Sequence, residues 1–108
     1  MTQTDLLFEI LATYRKHGWL LRRVLLTEEA QQTFTDRSAF ADASLSSSSI
    51  NALWFSRPSH EQREAWELRL VSEAPYALFE TFENDELEEQ REEMRMEMEA
   101  RMREYAAK

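Results

Sequence analysis

The stretch from Asn84 to Lys108 constrains the fold more than any other part of this chain. It contains neither Gly nor Pro, is dense in Glu and Arg, and carries Met94, Met98 and Met102 at four-residue steps. Such a segment reads as one long charged helix with a thin apolar stripe, and the stripe needs a surface to lie against. That surface is either a sheet made by the same chain or another molecule. Asn84 is the candidate cap, acids crowd the start (Asp85, Glu86, Glu88, Glu89), and Arg101, Arg103 and Lys108 sit near the end, so both ends complement the helix dipole. Glu97 with Arg101 and Glu99 with Arg103 are four-apart pairs contributing ~0.2–0.5 kcal/mol each.

The stripe runs through Leu87, Met94, Met98, Met102 and Tyr105, and Arg91 interrupts it one turn after Leu87. Sustained heptads are absent, which argues against a coiled coil. The expectation is a helix docked through Leu87 and Met94, with Met98, Met102 and Tyr105 progressively freer towards a partner. Met96, on the other side, supports partner contact further.

A chain of 108 residues fits one compact domain, divided here into an α+β core over residues 1–83 and the closing helix over 84–108. Its 43% hydrophobic and 11% aromatic content supplies a core, which a disordered chain lacks. There is no Cys, so disulfides and thiolate chemistry are excluded. The first residues lack the basic segment of a signal peptide and no apolar run reaches membrane-spanning length, so a soluble cytoplasmic protein is expected.

Charge is unevenly spread. Residues 80–108 hold eleven acids against five bases, a net of −6, out of −8 for the whole chain. Clustered Lys and Arg for phosphate contacts are missing, which argues against nucleic-acid binding and favours a basic protein surface as partner, or solubility alone.

The first helix is predicted from Asp5 to His17, capped by Thr4, with Leu7, Ile10, Leu11 and Tyr14 on one face and Gly18 as its stop. Residues 19–26 read as a strand, Trp19, Leu21 and Leu25 facing one side and Leu20, Val24 and Leu26 the other, with Arg22 and Arg23 on opposite sides. Thr27, Glu28 and Glu29 mark a short helical insert within Thr27 to Ala43, where Ala30, Phe34 and Ala41 are loosely periodic. The run Ser44 to Ser49 reads as a flexible loop. Three further strands follow: Ile50 to Arg57, ended by Pro58; Glu64 to Ser72, with Trp66, Leu68 and Leu70 on one face; and Tyr76 to Phe82, which also fits the start of a helix. The predicted fold is therefore α+β: an N-terminal helix, a four-stranded mainly antiparallel sheet with a short helical insert after its first strand, and a long C-terminal helix.

Nothing in the chain reads as catalytic machinery. His17 and His60 have no ligand spacing, and His60 with Glu61 and Glu64 fits a polar hairpin loop better than a metal site. Ser56 lacks a Gly-flanked nucleophile elbow, and one Gly leaves no phosphate-cradling loop. No cofactor is expected. Arg57, Glu67, Arg69 and Glu80 form either a cross-strand charge ladder or the polar side of a groove for a peptide or small acid. Trp19, Trp54 and Trp66 all fall in strands, and Trp54 beside Phe55 puts an aromatic ring on both faces of one strand.

The leading expectation is a non-enzymatic interaction domain. It acts through Met94, Met98, Met102, Tyr105 and Trp54, that is, through the closing helix or a sheet face, on a protein partner or on its own copy. The alternative is a small-ligand domain with a pocket between sheet and helix, lined by Arg57, Trp66, Arg69 and Tyr76.

Overall fold

The computed structural model describes residues 2–34, 37–40 and 42–108. Helix α1 (Gln3–Lys16) leads into strand β1 (Leu20–Leu26), followed by the short helix α2 (Glu28–Thr33) and strand β2 (Ser44–Ser47). Strands β3 (Ala52–Pro58), β4 (Glu64–Leu70) and β5 (Ala77–Phe82) form a meander, and helix α3 (Glu88–Ala106) closes the chain. The sheet order is β2-β1-β3-β4-β5, with β1 and β2 parallel and every other neighbouring pair antiparallel. The fold is α+β as expected, but the sheet is mixed and has five strands rather than four.

The additional strand is the serine run. Its backbone pairs with β1 from Arg23 opposite Ser44 to Leu26 opposite Ser47. Leu45 packs against the α1-side core, and the Gln31 side chain donates to both the Leu26 carbonyl and Ser47 Oγ, tying α2 to the strand. Pairing to a neighbour overrides the low strand preference of Ser, because β-propensity is mostly a matter of context.

Local signals place the helices within a few residues. Thr2, rather than Thr4, caps α1 by accepting from the Asp5 amide, and Thr27 caps α2 by accepting from Ala30. Gly18 stands at φ +85°, a left-handed conformation that Gly adopts cheaply, and lets the chain turn from α1 into β1. At the other end Asn84 lies in a turn. Leu87 occupies the cap position of α3, its amide donating to Gln90 Oε1. Ala41 lies outside the described residues, while Ala30 and Phe34 of the same segment are buried.

Two cores result, one on each face of the sheet. On one face α1 places Leu7, Ile10 and Leu11 over Val24, Leu26, Leu53 and Phe55. On the other, Met98 and Met102 of α3 join Leu25, Trp54, Trp66, Leu68 and Phe82. Each large apolar side chain buried in this way stabilises the fold by ~1.5–3 kcal/mol. A β-bulge between Leu21 and Arg23 shifts the alternation of β1, so Leu21 shares the α1 side with Val24 and Leu26 instead of pairing with Leu25.

Candidate functional site

Helix α3 lies on the sheet through a face that is only partly apolar. Met98 and Met102 are 1% and 0% exposed, whereas Leu87 is 64% exposed, so the expected order of docking is reversed. The physical reason is the periodicity. Residues 91, 95, 98 and 102 share one face, and two of these positions are arginines that a hydrophobic pattern counts as interruptions. Arg95 is buried with its guanidinium carbon 4.1 Å from the centroid of Trp66, and Arg91 sits 5.8 Å above Phe82. A guanidinium is planar and weakly hydrated, so it stacks on aromatic faces in a way that a lysine ammonium does not.

Polar partners complete this interface. One Arg95 terminal nitrogen donates to Glu88 at 2.8 Å and Glu92 at 2.7 Å, and Glu92 also accepts two hydrogen bonds from Arg23 at 2.7 and 3.1 Å. The Arg23 hydrogen bonds hold the Glu92 carboxyl below its ordinary pKa, and the Arg95 hydrogen bond does the same for Glu88. Deeper along the helix, the Trp54 indole N–H donates to Glu99 at 2.8 Å in a buried setting. Tyr105 is exposed along one side but stacks on Tyr76 with ring centroids 3.6 Å apart. The outward side of α3 carries Glu89, Glu93, Glu97, Arg101 and Glu104 together with the exposed Met96.

The opposite face of the sheet is covered only in part. Tyr14 of α1 stacks on Phe55 at 4.1 Å and donates a short hydrogen bond to Glu67 of β4; burial, followed by this hydrogen bond, raises its phenol pKa. Arg57 is held at the end of α1, stacked 4.5 Å from Trp19 and donating to the His17 carbonyl. Beyond Glu67, β4 and β5 present Arg69, Ala77 and Phe79 outwards. Glu67 stands opposite Phe79 and Arg69 opposite Ala77. The Phe79 side chain is 58% exposed.

The residues singled out from the sequence therefore fall into three places. Trp54, Met98 and Met102 lie in the α3-side core, with Met94 at its margin and Tyr105 at the end of the helix. Trp66 and Tyr76 belong to the same face. Arg57 and Arg69 stand on the other face, so the sheet separates the two halves of the anticipated groove. A cleft of about 670 Å³ does lie between sheet and helix, but it is lined by Arg23, Ser44, Ser46, Met96 and Glu99 instead. Sequence reasoning assigns no role to Phe79 or Arg95 and reads Arg91 only as an interruption of the stripe. The alternation of β5 was the available signal for Phe79, since it puts Phe79 and Phe82 on opposite faces of one strand.

Among the described residues no group of three or more His, Asp or Glu is arranged to hold a metal ion, and no helix is long and apolar enough to cross a membrane. No protein-family model matches the chain, and neither the curated proteins nor the solved structures contain a significant match to it.

Proposed function

We propose that this protein is a small non-enzymatic interaction module whose working surface is the open half of the sheet formed by β4 and β5, and whose partner is a second copy of the chain. The observation that carries the proposal is Phe79, a large ring 58% exposed at the middle of β5, on the face of that strand away from α3. Exposed aromatic rings on a sheet face are typical anchors of interfaces.

Charge favours a second copy. Glu67 and Arg69 flank the same patch two residues apart on one strand. A two-fold arrangement brings Arg69 of each copy to Glu67 of the other while the Phe79 rings pack together, and this self-complementarity is the requirement of an isologous contact. The route through the closing helix is less favourable. Its outward side is mostly Glu, so two copies of a chain carrying −8 repel there. The alternative, a ligand pocket built from Trp66, Tyr76, Arg57 and Arg69, carries less weight because the sheet stands between the two pairs.

Sedimentation equilibrium on the wild-type chain and on Phe79→Glu tests the proposal. A concentration-dependent dimer in the wild type and a folded monomer in the variant support it. A wild type that stays monomeric at high concentration contradicts self-association, and a dimer that survives the substitution contradicts the surface.

A further inference from the structure

The bulge in β1 has an effect beyond packing. In a regular strand Arg22 and Arg23 point to opposite faces, but the extra residue between Leu21 and Arg23 turns both guanidiniums to the α3 side. Their central carbons lie 5.7 and 5.9 Å from the centroid of Trp66, the ring on which Arg95 also stacks. Arg91 reaches the same place from α3, and the four arginines surround a cavity of about 210 Å³ whose floor is Trp66.

The charges in this cavity do not balance. Glu64 and Glu88 line it, and Glu92 accepts from Arg23 and Arg95 at its margin, so three carboxylates face four guanidiniums. Arg22 is the unmatched member. Among the described residues it has no hydrogen-bond or ion-pair partner, only the Trp66 ring. One terminal nitrogen of Arg91 donates to the Glu83 carbonyl at 2.7 Å, while the other only approaches Glu64 at 3.6 Å, longer than a hydrogen bond. The Nε atoms of Arg91 and Arg95 are buried without a hydrogen-bond partner, and Arg95 is 2% exposed. A buried donor left unpaired is costly, and clustered like charges add to the cost. In a chain whose overall charge repels anions, one positive surplus built from four arginines, one of them re-aimed by a bulge, points to a ligand.

We infer that this cage binds a small tetrahedral oxyanion, a phosphate ion or the phosphate group of a monoester. Such a group accepts charge-assisted hydrogen bonds from Arg22 and Arg91 at the cavity mouth and supplies the negative charge that Glu64, Glu88 and Glu92 leave short. The proposal is independent of the self-association surface, which lies on the other face of the sheet.

Calorimetric titration of the full chain with inorganic phosphate and, separately, with glycerol phosphate tests it, paired with NMR of the arginine Nε–H resonances. The expected result is saturable binding with a Kd on the order of 1 mM or tighter. Shifts should be confined to Arg22, Arg23, Arg91 and Arg95, with about tenfold or greater weakening in Arg22→Gln. That residue is exposed, so the variant folds, and an unchanged unliganded melting temperature checks this. Arg91→Gln weakens binding as well. Tighter binding of the monoester assigns a phosphorylated molecule as the ligand, and equal binding assigns phosphate itself. Absence of binding to either compound overturns the inference, as does binding that both substitutions leave unchanged.

Discussion

The Arg95 guanidinium lies 4.1 Å from the centroid of the Trp66 ring, on a side chain only 3% exposed, with Glu88 and Glu92 both accepting from one of its nitrogens. A charged residue is thus the centrepiece of the contact between helix and sheet. Truncation and apolar replacement should differ sharply there. Arg95→Ala removes the stacking and strands two carboxylates, although both remain partly open to water, so a loss of about 2–3 kcal/mol in urea denaturation is expected. Arg95→Met strands the same two carboxylates but keeps apolar bulk over Trp66, so it should cost less than the alanine variant by about 1 kcal/mol or more. Equal losses would mean that packing on Trp66 is not what anchors the helix.

Trp54 and Glu99 make the second anchor, a 2.8 Å hydrogen bond with Glu99 only 8% exposed. Trp54→Phe leaves a buried carboxylate without its donor and should cost about 2 kcal/mol or more. Glu99→Gln keeps an oxygen that accepts from the indole and should cost less than about 1 kcal/mol. The double variant should be less destabilised than the sum of the two, because the residues share one interaction. Additive losses in the double-mutant cycle would contradict that bond.

Acid should loosen the same interface. Glu92 and Glu88 are held below their ordinary pKa of 4.5 by hydrogen bonds from Arg23 and Arg95 respectively. A carboxyl depressed in the folded state stabilises the fold at every pH above its unfolded value, and that contribution disappears as the pH falls through the folded value. The urea midpoint should therefore hold steady down to about pH 5 and drop below it. In Glu92→Gln the midpoint should be lower at neutral pH and its acid slope shallower. An identical slope in the variant would show that Glu92 is not responsible.

Much of this arrangement was legible in the residues. Gly18 marked the end of α1, Thr27 the start of α2, and the alternation Trp66, Leu68, Leu70 the inward face of β4, because each is a local signal with a local cause. The strand β2 was not legible. Three of its four residues are serines that imitate a loop, and only pairing to β1 makes them a strand. The bulge in β1 had no Gly or Pro to announce it, so Arg22 and Arg23 could not be placed on one face from alternation alone. Arg91 and Arg95 were hidden for a different reason. A hydrophobic pattern scores a guanidinium as polar, yet against Trp66 and Phe82 it behaves as a flat, stackable surface. The exposure of Phe79 depends on which half of the sheet α1 leaves uncovered, which is a tertiary fact.

In the proposed dimer, copies of this chain meet through β4 and β5 on the face away from α3. An NMR dilution series on uniformly labelled protein reads this residue by residue. The predicted result is that concentration-dependent shifts and broadening map to Glu67, Arg69, Ala77, Phe79 and Thr81 while the outward side of α3 stays constant. Shifts confined to α3 from Met96 to Tyr105, or no concentration dependence anywhere, would contradict the claim.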